Sequence, residues 1–421
     1  MAIHENVLSH IEKNKEELFN LTREAVRFPS VCGQEGEAQQ WIAGKYKSLG
    51  LDVHLLYAND ERIRKHPAYI ESGFPFDQRP NVIAILKGIQ DGKSLTLNGH
   101  IDVVSPEPLE SWGHDPWGGH IEDGKLYGRG SMDMKSGLMA NYFALKTLVE
   151  LGIKPLNTVL LQSVVEEEAG GGGGTLACLL DGYTTDGFIA TEPHDLRITI
   201  SHAGVLYFRV KVKGKSSHGG MAHMGVDAIE KIIPIFYALK QLDQERANQV
   251  KYELFASGSG RAVHLSMGTL HAGDWPSTVA GWASLECRIS FVPGENRESI
   301  MNMVEEVVNN ASSEDQWLLN NPPVIEWFGW QADPWYQDPS HPYVKSFMNT
   351  AQNITGKQLD IIGRASGNDA RFTQYFPGMA GLCFGPSGGN MHGANEFVDL
   401  DSLVKTCQVL AVHILDWCGF E

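Results

Sequence analysis

Short apolar runs at 82–86, 95–97, 159–161, 188–190 and 382–384 punctuate this sequence, with longer helix-period stretches between them. Runs this short, bounded by turn residues, read as strands buried on both faces. Their alternation with helical stretches, such as 137–151, predicts an α/β architecture: a mostly parallel sheet flanked by helices. Upstream, Val7, Ile11, Leu18, Leu21 and Val26 recur at roughly helical intervals, so 5–26 reads as one amphipathic opening helix.

The pattern changes over 203–332. Residues 207–212 alternate like a strand, 226–242 read as a helix bent at Pro234, and 263–267 and 283–290 as two further strands. A helix over 296–310 and a short strand at 324–328 complete a β-α-β-β-α-β order, the ferredoxin-like split motif. A chain of 421 residues exceeds the usual size of a single core. The expectation is therefore a catalytic domain, 1–202 and 333–421, interrupted by a compact α+β domain at 203–332.

Composition narrows the functional classes. With 34 basic against 51 acidic residues, the net charge of −17 disfavours nucleic acid and anionic membrane as partners. The six cysteines are scattered without a CxxC pair and read as small buried hydrophobes. The first fifteen residues hold no apolar signal core, and nowhere do apolar residues run long enough to span a bilayer. A cytoplasmic setting is expected.

The candidate chemistry lies in motifs at the C-terminal ends of the predicted strands, where open α/β sheets bind ligands in a shared crevice. Asn98-Gly99-His100-Ile101-Asp102 supplies an imidazole and a carboxylate able to orient it, although a hydrogen-bonded surface histidine fits the same pattern. In Gly128-Arg129-Gly130-Ser131-Met132-Asp133-Met134-Lys135, Asp133 projects from a glycine-rich turn, and taken alone it reads better as a helix cap. Glu166-Glu167-Glu168 crowd three carboxylates before the glycine run 170–174, which is costly unless cations or protons compensate; an exposed acidic turn is the alternative. No Gly-Lys-Ser/Thr follows the glycines, so they form no phosphate loop and instead let backbone approach the carboxylates closely. Glu192 in Thr191-Glu192-Pro193-His194 and His392 in Gly388-Gly389-Asn390-Met391-His392-Gly393 complete the set. Each is weak singly, but two histidines and several carboxylates converging on one crevice point to metal, zinc first and cobalt or manganese as substitutes.

Taken together, Gly99-His100-Ile101-Asp102, Tyr127-Gly128-Arg129-Gly130 through Lys135, Glu167-Glu168-Ala169-Gly170, Glu192-Pro193, Ser217-His218 and Met391-His392-Gly393 resemble a known family. It is the aminoacylase and carboxypeptidase G family of dinuclear metallohydrolases, in particular its acetylornithine deacetylase and succinyl-diaminopimelate desuccinylase branch. The resemblance spans nearly the whole chain. It implies a zinc-peptidase-like catalytic domain and a second domain serving as lid and dimerisation surface. It implies two metal ions bridged by Asp133, one completed by Glu168 and His392, the other by His100 and Glu192. Asp102 would support His100, and Glu167 would be the general base. His218 would reach into the neighbouring subunit's site to stabilise the oxyanion, which implies a homodimer. The lid departs from the family at Trp275-Pro276-Ser277-Thr278-Val279-Ala280, where an asparagine usually precedes a Val-Ile-Pro-like turn. Arg288 and Arg371 resemble arginines that grip a substrate carboxylate, and structural ion pairing suits them equally.

The implied activity is removal of an acetyl, succinyl or formyl group from a small N-acylated amine or amino acid. Deformylation of an aminopyrimidine in thiamin salvage, dipeptide or aminoacyl hydrolysis, and a metal-binding homologue without catalysis are the alternatives. Intact Glu167 disfavours the last. The stretch 57–79, rich in aromatic and charged residues, reads as a surface excursion, with a pocket-lining role as the other option.

Overall fold

Leu95–His100 is buried along its whole length, and the strands on either side of it are buried equally. It runs parallel to Val159–Val164 on one side and to Gly187–Ala190 on the other. Ala380–Cys383 continues the parallel set beside Gly187–Ala190. Outside this core the sheet turns antiparallel, through Asn81–Leu86 and Asp52–Leu56 at one side and Ile198–His202 at the other. A parallel core whose strands lack a polar face needs cover on both sides. Helices Ser136–Glu150 and Leu400–Cys418 pack against each other and against the central strand.

The computed structural model describes residues 2–90, 92–255 and 260–421, and it divides into two units. The first comprises Met1–Ile200, Tyr336–Ile362 and Asn368–Glu421; the second comprises Ser201–Trp335 and Gly363–Gly367. In the second unit Leu265–Ala272, Trp282–Phe291, Gly204–Lys213 and Val324–Ala332 form an all-antiparallel sheet in that order. With helices Ala228–Gln249 and Arg297–Ser312 between them, this is the ferredoxin-like arrangement. Phe208, Leu285, Ile232, Leu239, Ile300 and Val304 close its core.

Two expectations need correction. The opening segment is two helices, Ala2–Lys13 and Lys15–Val26, because Asn14 leaves helical geometry and its side-chain amide bonds His10 O at 2.9 Å. The surface reading of 57–79 is incomplete: Tyr57 and Phe74 are exposed, but Ile63, Ala68, Ile70, Phe76 and Arg79 form a buried inner face. Glycines make the room, since a Cβ at Gly173 would lie 2.1 Å from the Phe76 ring and one at Gly172 would lie 2.6 Å from Tyr69. Among the described residues no helix is long and apolar enough to cross a membrane.

His413, fully buried on Leu400–Cys418, packs against the rings of Tyr343 and Phe347, and among the described residues neither ring nitrogen has a hydrogen-bond partner. Burial pushes its pKa down to about 3, below the unfolded value, so the stability it permits above pH 6.5 is lost as pH falls toward the folded pKa. Between pH 7 and pH 5, His413→Leu should gain about 2 kcal/mol relative to wild type in urea unfolding. Parallel pH dependence in the two proteins would show that His413 is not buried neutral.

Candidate active site

Parallel register sets where the candidate residues meet. His100 ends its strand opposite Val164, so the chain leaving Val159–Val164 delivers Glu166, Glu167 and Glu168 to the same edge. Asn98 pairs with Ala190, which carries Glu192 to the level of His100. Ala380–Cys383 points the same way, toward the loop that holds His392. All of these lie in the first unit.

Asp133 enters from the turn 128–135, where Gly128 (φ +152°) and Gly130 (φ +77°) adopt conformations that side chains resist. It caps no helix; Lys135 holds the N-cap position, and the Asp133 carboxylate turns into the crevice instead. Its Oδ1 lies 3.1 Å from His100 Nε2 and its Oδ2 lies 3.3 Å from His392 Nε2. Glu168 Oε1 lies 3.1 Å from His392 Nε2, while Glu192 Oε1 and Glu167 Oε2 lie 3.9 and 4.0 Å from His100 Nε2. His100 with Glu167 and Glu192, and His100 with Asp133 and Glu168, have the spacing to hold a metal ion.

The tautomer of His100 can be inferred from its neighbours. Its Nδ1 lies 2.8 Å from Asp102 O, and a carbonyl only accepts, so Nδ1 carries the hydrogen. The Nε2 lone pair then faces a carboxylate oxygen, an arrangement that needs a proton or a cation between the two. The Asp102 carboxylate stands 3.6 Å from the ring and bonds elsewhere: its oxygens accept from the N–H groups of Glu167 (3.2 Å) and Glu168 (3.1 Å). Asp102 thus orients the histidine through its backbone and the acidic turn through its side chain.

Electrostatics follow from burial. Burial, and then the charge of Glu192, raises Glu167 well above the carboxylate range; burial likewise raises Glu192 and Glu168. Burial would raise Asp133 as well, but the two histidines overcome it and hold the carboxyl below its usual range. Hydrogen bonding to Asp133 and Glu168 raises His392 to about 10. Without cations, such a cluster must take up protons.

Two buried arginines, in three ion pairs, position the loops that carry the candidate residues, and the sequence pattern pointed to neither. Arg129 Nη1 pairs with Glu396 Oε2 at 2.5 Å, and its Nη2 donates to His392 O at 3.2 Å. The other Glu396 oxygen accepts from the N–H groups of Met132 and Asp133, each at 3.0 Å. Arg79 bridges Glu35 (2.9 Å) and Glu166 (3.2 Å), while Ser72 Oγ and Gly173 N donate to Glu166 at 2.8 and 2.7 Å. These bonds hold Glu166 at φ +56°, a conformation that costs a non-glycine residue about 1–3 kcal/mol. Asp369, also unassigned, is buried beneath the site, accepts from Thr175 Oγ1 at 2.7 Å and is raised to about 6 by burial.

The remaining candidates are described each within its own unit. Arg371 is buried in the first unit and donates to Gly170 O. Arg288, in the second unit, donates to Ala365 O at 3.0 Å. His218, also in the second unit, heads a short helical turn, where its Nδ1 accepts from Gly220 N at 3.1 Å.

The chain is similar to proteins of related chemistry. It is 29% identical to an N-formyl-4-amino-5-aminomethyl-2-methylpyrimidine deformylase of Bacillus subtilis, covering 97% of this chain and 96% of that protein. It is 22% identical to a succinyl-diaminopimelate desuccinylase of Ehrlichia ruminantium, covering 94% and 96%. Human carnosine dipeptidase 1 shares the fold with a TM-score of 0.78, at 17% identity and with 99% of each chain covered. Residues 96–416 match the sequence profile described as Peptidase family M20/M25/M40, and with three quarters of its length in that match, the chain belongs to this family.

Proposed function

We propose that this chain hydrolyses the amide bond of a small N-formylated amine, with His100, Asp133, Glu168, Glu192 and His392 holding two divalent cations. The observation that carries the reading is the Asp133 carboxylate, one oxygen against each histidine Nε2 at 3.1 and 3.3 Å. A carboxylate shared in this way suits a bridge. We assign Glu168 and His392 to one cation, and His100 and Glu192 to the other. Imidazole and carboxylate donors fit zinc, with cobalt or manganese as substitutes. Such a pair of ions, when bound, polarises a carbonyl and lowers the pKa of a water.

Glu167 carries the proton. Its amide is pinned to Asp102 at 3.2 Å and its carboxyl faces His100 from 4.0 Å; although it has the spacing of a ligand, we assign it to proton transfer. It takes a proton from the attacking water, holds it while the C–N bond breaks, and delivers it to the departing nitrogen. The acyl group leaves as a carboxylic acid. His218 is assigned to the oxyanion, acting from the neighbouring subunit of a homodimer.

Two observations favour formyl over succinyl. The relative named for deformylation is more similar to this chain, at 29% identity, than the relative named for desuccinylation, at 22%. A succinyl substrate also brings a carboxylate that needs a cationic partner, and both candidate arginines donate to backbone carbonyls, of Ala365 and Gly170. We therefore assign Arg288 and Arg371 to holding those loops.

Glu167→Gln should keep the metal content of wild type and lose at least about 100-fold in kcat, the scale of general acid–base catalysis; undiminished turnover would remove Glu167 as the base. A screen of N-formyl, N-acetyl and N-succinyl amines plus dipeptides against zinc- or cobalt-loaded protein should give the highest kcat/KM for the N-formyl aminomethylpyrimidine. A preference for succinylated diamino acids would overturn the acyl assignment. Mixing inactive His218→Ala with inactive Glu167→Gln protein should restore part of the activity through heterodimers. Demonstrated heterodimers with no recovery would end the role of His218 across subunits.

A further inference from the structure

A second group of metal-ligating side chains lies on the surface of the first unit, on residues the crevice does not use. His120 and Glu122 sit two apart on the exposed strand His120–Glu122, so they project from one face of its hairpin with Lys125–Tyr127. The preceding loop lays His114 over the same face. Its ring stacks on that of His120 with centroids 4.1 Å apart and planes 21° from parallel. Both Nε2 atoms approach one carboxylate oxygen: His114 lies 3.6 Å and His120 lies 3.8 Å from Glu122 Oε2. The ligand atoms of the three residues all fall within 4.8 Å of one another.

These separations discriminate between two uses. A hydrogen bond to the carboxylate would draw each nitrogen to about 2.7–3.2 Å, and neither pair is that close. Ligands around a tetrahedral zinc, with bonds of about 2.0–2.1 Å, stand roughly 3.3–3.4 Å from each other. The two histidine–carboxylate spans exceed that by a few tenths of an ångström and the third lies within 4.8 Å, so rotation of these surface side chains brings the set to coordinating distance. A cleft of about 430 Å³ lined by His114, Asp115, His120 and Arg23 opens alongside, with room for water to complete the coordination.

We propose that His114, His120 and Glu122 form a separate site for one divalent transition-metal ion, zinc being the best match to two imidazoles and a carboxylate. An ion there ties the loop to the hairpin. The same loop is fastened to the neighbourhood of His392, because Gly113 N donates to Asn395 Oδ1 at 2.6 Å and Asn395 Nδ2 donates to Ser111 O at 3.3 Å. The ring of Tyr127 joins them, packing on His114 at 5.2 Å and on Phe397 at 5.5 Å. The ion is thus a brace beside the crevice and takes no part in its chemistry.

The test is zinc stoichiometry by equilibrium dialysis and elemental analysis on wild type, His120→Ala and Glu122→Gln. Each variant should bind one equivalent fewer than wild type. Copper(II) loaded onto wild type should show nitrogen hyperfine coupling from two imidazoles that His120→Ala lacks. Glu122→Gln preserves side-chain shape, so its loss of an equivalent cannot come from lost packing. Equal stoichiometry in all three proteins, or an extra equivalent that both variants keep, overturns the site. The readout is a difference between proteins, so it stands whatever number of ions the crevice takes.

Discussion

Packing like charges into a dry place is the constraint to which the rest of this structure answers. Asp133, Glu167, Glu168 and Glu192 crowd around two histidines at one end of the sheet, each carboxylate nearly or wholly removed from water. Ionised groups so placed repel one another and lose hydration, a combination that protein interiors tolerate only with compensating positive charge. The histidines cannot supply enough of it while also presenting lone pairs as ligands. The site is consequently stable in either of two forms, protonated or metal-loaded, and the Nδ1–H tautomer of His100, which turns the Nε2 lone pair toward Asp133, suits the second.

Holding such a cluster together needs positive charge that does not itself enter the crevice. Arg129 and Arg79 supply it from behind. Arg129 neutralises Glu396, whose other oxygen gathers the amides of Met132 and Asp133, and it also reaches the carbonyl of His392. One pair thus fixes the spacing between the two segments that would share a bridging carboxylate. Arg79 does the same for the acidic turn through Glu166. Breaking a buried pair of this kind strands a charge and costs about 3–5 kcal/mol, so both are coupled to the fold as well as to the site.

The sequence made legible what depends on local pattern. The parallel strands were readable because each is a short apolar run, and the candidate residues drew notice through their joint resemblance to a family, since Asp133 follows no such run and His392 lies eight residues beyond 382–384. The second unit's strand and helix order followed from a change in periodicity. What escaped was non-local. Glu396 and Arg129 are 267 residues apart, and nothing near either one announces the other. Asn14 escaped for the opposite reason: its side-chain bond to the His10 carbonyl is too local to disturb the apolar spacing, yet it breaks the helix. Asp102 was assigned to its neighbouring histidine, whereas its carboxylate serves amides more than sixty residues away.

The glycine run links the site to the question of what it acts upon. Gly170, Gly172 and Gly173 leave the acidic turn without side chains, and Ile70, Tyr69 and Phe76 fill the space they vacate, at distances that any Cβ would forbid. The same segment contributes Arg79 and Ser72 to Glu166. The stretch 57–79 is therefore built into the wall immediately behind the general base proposed here, while the metal residues themselves carry no information about the acyl group. Tyr69, Ile70 and Phe76 are the side chains of this segment on which the glycine turn after Glu168 rests. The segment is thereby coupled to the acidic turn twice, by apolar packing on the glycines and by polar bonds to Glu166.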